Sequence, residues 1–174
     1  MANTMTTYVK VGSLNEETHK KFVELFEKSG DQVSHFNTLY ETDLEDIERE
    51  WMLENVGAKW INIECDDLEY HDTMELVLET AWTVPTEYLQ KIVEFIGGDV
   101  VVHGTYEDES YDPIGAFVYA VDYDDIEDYE EVEHDRIFED DDYLEEMYDG
   151  LYELRDSLYE GYREVMDERS IEED

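Results

Sequence analysis

An excess of carboxylates is the feature that most narrows what this chain can be. Its 174 residues contain 51 Asp and Glu against 11 Lys and Arg, a formal net charge of -40 at pH 7. Such a surface repels phosphate and has few cations to replace counterions, so direct binding to nucleic acid or to anionic lipid is disfavoured. The composition therefore predicts a basic partner.

The carboxylates are densest in the last third of the chain. Residues 121–174 hold 25 acidic and 4 basic residues, a net charge of -21. Hydrophobic residues make up 41% of the whole chain, which is enough to fold, and the length suits one ordinary core. We therefore expect one compact domain over residues 1–121 and an acidic appendage after it.

Alternating apolar residues predict strands in this first part, and apolar residues at helical spacing predict helices between them. Strands are expected at residues 6–11, 58–65, 74–82 and 116–121 and from Val100 onward, and helices are expected from a capping box at residues 13–16 to Gly30, near residues 44–51 and after Pro85. The order β-α-(α)-β-β-α-β-β predicts an α+β fold with helices over one face of an antiparallel sheet. It resembles a ferredoxin-like βαββαβ sandwich with an extra strand.

The acidic appendage divides into three parts by its pattern. Residues 122–142 lack a convincing period and predict a solvated acidic linker. Leu144, Leu151, Leu158 and Val165 then recur every seven residues, which predicts a long amphipathic acidic helix over residues 143–168. An acidic tail, residues 169–174, completes the chain.

Two short motifs flank the central pair of predicted strands. Residues 54–60, ENVGAKW, contain an Asn-x-Gly-x-Lys-Trp segment, and residues 80–85, TAWTVP, contain a Thr-Ala-Trp-x-x-Pro segment. Both are similar to segments of the ferredoxin-like domain of small, mostly uncharacterised plasmid and phage proteins. The resemblance covers residues 4–121, and it implies a fold and a mobile-element origin but no activity. The acidic C-terminal arm lies outside it and is similar in character to phage DNA-mimic proteins.

Residues with catalytic or metal-binding chemistry do not form a recognisable motif. The five histidines lack metal-ligand spacing, and a single cysteine, Cys65, excludes an internal disulfide and a Cys-based zinc site. Residues 122–127 depart from a calcium loop at Ile126 and Glu127. We therefore expect no enzyme activity, no cofactor and no built metal site, and we expect Trp51, Trp60 and Trp82 to lie in the core.

Location is predicted by what the sequence lacks. The first residues have neither a basic segment nor an apolar stretch of signal-peptide length, and no run approaches ~18 uncharged apolar residues. A lone cysteine suits a reducing compartment. The expectation is a soluble cytoplasmic protein, in the host cytoplasm if it is encoded by a phage, without a membrane partner.

The charge pattern favours nucleic-acid mimicry. Duplex DNA carries one negative charge per ~1.7 Å of its axis, and a helix studded with Asp and Glu can present carboxylates at a comparable density. The sequence therefore predicts a phage-type mimic that inhibits a basic host protein, itself DNA- or RNA-binding, such as a defence, restriction, CRISPR, nucleoid or transcription protein. The predicted partner-binding residues are Asp122, Asp124, Asp125, Glu127, Asp128, Glu130, Glu131, Asp140, Asp141, Asp142, Glu145, Glu146, Asp149, Tyr152, Glu153, Asp156, Tyr159 and Glu160.

Two other interpretations stay open at this point. The acidity could be an adaptation to an extremely saline environment, or the last helix could serve a non-inhibitory assembly protein by forming a homodimer or docking on a partner helix. The tyrosines of that helix either supply contact area for a partner or pack the helix onto its own domain.

Overall fold

A computed structural model describes residues 3–130 and 132–173 and confirms the α+β class with a long C-terminal helix. Within these residues, six strands form one antiparallel sheet in the order β2-β3-β1-β4-β5-β6. The strands are β1 (Thr4–Gly12), β2 (Ile61–Glu64), β3 (Met74–Ala81), β4 (Val101–Asp108), β5 (Ile114–Ala120) and β6 (Tyr123–Asp128). The helices are α1 (Glu16–Phe26), α2 (Gln32–Tyr40), α3 (Arg49–Asn55), α4 (Thr86–Ile96), α5 (His134–Ile137) and α6 (Asp141–Glu173).

The main core lies between the first face of the sheet and helices α1 to α4. Strand β1 directs Met5, Val9 and Val11 to this face, where they are almost fully buried. Helix α4 supplies the densest apolar side, with Leu89 and Ile92 completely buried. The alternation along β1 and the helical spacing along α4 are the patterns that the sequence shows most clearly, and both elements form where they are expected.

The helices before β2 differ from the prediction in their ends. The capping box of α1 joins Asn15 and Thr18 instead of residues 13 and 16, and α1 ends at Phe26, before Gly30. Helix α2 is not among the predicted helices. Asp31 caps it, and its buried residues His35, Phe36 and Leu39 anchor it in the core. Residues 44–48 are not helical, and α3 begins only at Arg49.

The second face of the sheet is covered by α6, whereas the sequence predicts helices on one face only. Leu151 and Leu158 are buried, and the helix contacts β4, β5 and β6. Val101 and Val118 form a small core with Leu158 beneath it. Because the sheet binds the apolar side of α6, the predicted heptad stripe packs on its own domain, and the architecture has three layers.

The prediction of a solvated acidic linker over residues 122–142 is wrong, because part of this segment forms β6 and α5. A two-residue turn leads into β6, with Asp122 in the left-handed region at φ 57°, which Asp tolerates. Strand β6 pairs with β5 over its whole length, and Tyr123 contacts Tyr162 of α6 with ring centroids 5.5 Å apart. Tyr123 and Ile126 are its only residues that favour a strand. An edge strand held by backbone hydrogen bonds shows little apolar alternation, so the sequence pattern did not predict β6.

The tryptophans are more exposed than the sequence predicts. Trp82 is 59% exposed and Trp60 is 37% exposed. Trp51 is half-buried against Phe36, at a ring-centroid distance of 5.3 Å. Trp82 leaves the core because β3 ends one residue earlier and the chain turns there, with Trp82 at φ 69°.

A side-chain bridge fastens β6 to the sheet from the first face. The Tyr106 hydroxyl of β4 reaches across Gly115 of β5 and donates a hydrogen bond to the Asp128 carboxylate of β6. A Cβ atom at Gly115 would overlap both the Tyr106 hydroxyl and the backbone carbonyl of Glu127. Glycine at this position is therefore what lets one side chain span three strands.

We expect Gly115→Ala to lower the free energy of unfolding by about 1–3 kcal/mol, because the added methyl group overpacks this crossing. Urea titration followed by circular dichroism measures the loss. Gly30→Ala is the matched control, since a Cβ atom at Gly30 meets no atom within 4 Å. Equal stabilities of the two variants would contradict this account of the bridge.

Candidate functional site

The outward side of α6 is a row of carboxylates. Its apolar residues face the sheet, so the acidic residues between them face solvent. At a rise of ~1.5 Å per residue the helix is about 50 Å long. The predicted site residues on this side that are exposed are Asp141, Asp142, Glu145, Glu146, Asp149, Glu153, Asp156 and Glu160.

Strand β6 runs beside α6 in the opposite direction. Tyr129, just after β6, closely approaches Gly150, and Tyr123 at the start of the strand contacts Tyr162. Arg169 donates to the carbonyl oxygen of Asp122 at 3.2 Å. Residues 150–169 of the helix therefore lie along the whole length of β6. We call the carboxylates of residues 122–130 together with the outward side of α6 the acidic surface.

The predicted residues before α6 are not equally available. Those that are exposed are Asp122, Asp124, Glu127, Asp128 and Glu130. Asp125 is half-buried because it lies opposite Val118 on the side that faces α6. Glu131 lies outside the described residues.

Two of these carboxylates also hold the structure together. Asp128 accepts the hydrogen bond from Tyr106 described above. Asp140 caps α6 by accepting from the backbone N–H of Tyr143 at 3.3 Å, and it pairs with Arg136, also at 3.3 Å. The backbone hydrogen bond from Tyr143 and the Arg136 guanidinium hold the pKa of Asp140 below its usual value.

Most tyrosines of α6 that were considered as partner contacts serve instead to attach the helix. Tyr159 is half-buried and packs on His103 of β4, with ring centroids 4.6 Å apart. Tyr148 donates to the Glu107 carboxylate at 2.5 Å. Tyr152 is different, because it is 41% exposed and carries the Arg155 guanidinium 4.7 Å from its ring centroid. Of the two predicted tyrosines, Tyr152 is the one whose side chain is exposed.

The charge density of the acidic surface depends on both elements. Helix α6 contains 13 Asp and Glu over its 33 residues, roughly one per 4 Å of its axis, which is less than half the density of duplex DNA. Residues 122–130 and 150–169 together hold 12 carboxylates and three Arg along a shared length of about 30 Å. Of the strand's carboxylates, Asp124 and Asp128 point to the first face of the sheet, away from α6. The strand therefore adds to the charge along the helix, although the combined net density stays below that of duplex DNA.

A histidine lies beneath this helix. The Nδ1 atom of His103 is buried without a hydrogen-bond partner among the described residues. Burial, followed by the nearby charges of Lys10 and Arg155, lowers the pKa of His103 to about 4. His103 is therefore neutral at pH 7, and it resists protonation as long as α6 stays docked.

His35 in the main core also has a lowered pKa. The sequence gives no reason to place this histidine in the core. Its Nδ1–H donates to the carbonyl oxygen of Leu25 at 3.0 Å, and its Nε2 accepts from the Tyr88 hydroxyl at 2.8 Å. Burial lowers the pKa of His35 to about 4.

Acid should destabilise the fold through His103. Its pKa is lower in the folded than in the unfolded chain, so its contribution is intact above the unfolded pKa near 6.5 and is lost as pH falls from there toward 4. We expect the stability of the wild type relative to His103→Gln to fall by on the order of 1–2 kcal/mol between pH 7 and pH 5. Urea titrations of both proteins at each pH measure this. Parallel pH curves would show that His103 does not resist protonation in the fold.

Three possible metal ligands meet in the loop before β3, a grouping that the histidine spacing does not predict. One ligand atom from each of Asp67, Glu69 and His71 lies within 4.8 Å of the others, and all three residues are exposed. They bond to one another, since Asp67 accepts from His71 Nε2 at 3.1 Å and from the backbone N–H of Glu69 at 2.9 Å. The cluster accordingly closes a turn of this loop.

Comparison with known proteins gives no match, whether to a family model, to a curated protein or to a solved structure. Among the described helices, none combines the length and the apolar composition that crossing a bilayer requires.

Proposed function

We propose that this protein is an acidic nucleic-acid mimic that binds and inhibits a basic host protein, itself a DNA- or RNA-binding protein. The observation that carries the proposal is the acidic surface, in which β6 and α6 bring two rows of carboxylates side by side. Long-range attraction between such a surface and a cationic groove speeds association and selects against acidic partners.

Rigidity supports this function. A flexible acidic tail would lose conformational entropy when it binds, whereas α6 is already fixed by Leu151, Leu158 and Tyr162 against the sheet. A surface that is ordered before binding retains more of its interaction energy as affinity. The proposed interaction is stoichiometric inhibition, with no catalysis and no cofactor, in the cytoplasm of the host.

The fold of the first part of the chain is proposed to be ferredoxin-like. Support comes from the order β2-β3-β1-β4 of its first four strands and from the helical connections after β1 and β3. Strands β5 and β6 and helix α6 extend this unit. The motif resemblance to plasmid and phage proteins supports a mobile-element origin, and with it a host protein as the target.

A homodimer built on α6 is disfavoured by the packing. The apolar stripe that would pair with a second helix is buried on the sheet of the same chain. The side that remains is acidic, and two such sides repel each other. We therefore assign the outward side of α6 to a basic partner.

Neutralising six carboxylates on α6 tests the proposed function. The variant carries Gln or Asn at Glu145, Glu146, Asp149, Glu153, Asp156 and Glu160. A matched control neutralises six exposed acidic residues beside the first face, Glu24, Glu27, Asp43, Glu45, Glu50 and Glu54. Both proteins lose the same charge, and both are used as bait in host lysate with identification by mass spectrometry.

The expected result is one dominant nucleic-acid-binding protein that the wild type and the control capture and that the α6 variant loses. Added duplex DNA or RNA should displace it. A mixture of basic proteins released together by salt, or equal losses in both variants, would show that the charge acts nonspecifically. Deleting α6 would test less, because the deletion exposes the apolar second face of the sheet.

The same variant should be more stable than the wild type. Its six neutral side chains remove like-charge pairs spaced three and four residues apart, each of which costs roughly 0.2–0.5 kcal/mol. We expect a higher thermal midpoint at low ionic strength and a smaller difference in high salt, measured by circular dichroism. A lower midpoint would mean that these carboxylates make stabilising contacts within the chain.

A further inference from the structure

Strand β6 has a free edge. The backbone N–H of Tyr129 donates to the carbonyl oxygen of Ile114 at 2.7 Å, so the backbone groups at odd-numbered positions of this strand point toward β5. Those of Asp124, Ile126 and Asp128 therefore point away from the sheet. Within residues 3–130 and 132–173, no strand pairs with this edge.

The opposite edge of the sheet is different. Strand β2 has only four residues, and the Gln32 side chain donates to the carbonyl oxygen of Ile61 at 2.5 Å. A short strand whose backbone is bonded by a side chain is a poor template for pairing. Strand β6 is longer, and its outward backbone groups have no such side-chain partner among the described residues.

An apolar groove lies next to the free edge, on the first face. Ile126 is 41% exposed and lines a groove of about 360 Å³ together with Trp82, Val84 and Pro113. The Asp128 carboxylate lies at the same groove. The Nζ atom of Lys59 lies 5.5 Å from the Trp82 ring centroid, so this ring already holds one cation.

Charge determines what can pair with this edge. Asp124 and Asp128 lie on the groove side of β6, and Asp125 and Glu127 lie on the α6 side. A second copy of the chain would place its own β6 carboxylates opposite these, and like charges directly across a strand pair are destabilising. A segment with Lys or Arg at these positions is complementary on both sides.

We propose that β6 accepts an extended basic segment of the partner protein as a seventh strand. Lys or Arg lies opposite Asp124 and Asp128, an apolar side chain opposite Ile126 enters the groove beside Trp82, and further basic side chains meet Asp125 and Glu127. Backbone hydrogen bonds to the edge fix the register, and the alternating side chains give the specificity. This inference rests on the proposed function only in that the partner is basic.

A synthetic peptide serves as the probe. The sequence Thr-Lys-Arg-Ile-Arg-Lys-Thr with blocked ends places one apolar and four basic side chains at the required positions. The control peptide has the same sequence and the same charge. It carries N-methyl groups on alternate backbone amides, which remove the N–H donors that would bond to the edge of β6. Affinity is measured by isothermal titration calorimetry at moderate salt, and the contact site is mapped by amide and indole shifts in NMR spectra of the full chain.

We expect the N-methylated peptide to bind at least tenfold more weakly, and the shifts to be confined to β6, residue 129 and the Trp82 indole. Ile126→Pro should weaken the parent peptide to a similar degree, because it removes an outward N–H that is not used in the β5–β6 ladder. Ile126→Val, which keeps that N–H, should stay within about twofold of the wild type. Equal affinities for the two peptides would overturn the strand-pairing proposal even if the proline variant were misfolded.

The two proposals fail separately in these experiments. Peptide binding of the expected kind, without any captured nucleic-acid-binding protein, would refute mimicry and leave the edge site in place. If the wild type and Ile126→Pro capture the same protein equally well, and DNA displaces it from both, mimicry is supported and the edge site is refuted.

Discussion

The structure depends on the burial of the apolar side of α6 against the second face of the sheet. Carboxylates spaced three and four residues apart repel one another, and a helix of this composition gains little from its own backbone. The sheet supplies the missing stability through Leu151, Leu158 and Tyr162, and α6 in turn supports β6, an edge strand with few apolar groups of its own. If α6 were not docked on the sheet, both elements that carry the charge would therefore lose their order.

Sequence patterns predicted the elements with a strong apolar period and missed those without one. The sequence pattern predicts strand β1, helix α4 and the apolar stripe of α6, because hydrophobic burial stabilises these elements. The pattern does not predict strand β6, because backbone pairing and the Tyr106–Asp128 hydrogen bond hold this strand. Neither interaction requires apolar residues at a regular spacing. The same limit applies to the candidate site. Its carboxylates could be named from composition, but their alignment on a strand and a helix is a tertiary fact, and so is the use of Tyr159 inside the fold.

The electrostatics of the chain also bear on how it would meet a partner. A net charge of -40 opposes compaction, and that repulsion is present whether or not anything is bound. A cationic surface placed against β6 and α6 relieves it, so part of the driving force for association is stored in the free protein. Higher ionic strength would stabilise the isolated fold by screening this repulsion, and it would weaken binding to a cationic surface.

Helix α6 separates two demands that are usually mixed in one surface. Its inward residues determine whether the chain folds, and its outward residues, from Glu145 to Glu160, make few contacts within the chain. Substitutions on the outward side can accumulate without repacking the core. Under the proposed function, this arrangement would let the recognition surface change while the scaffold stays constant.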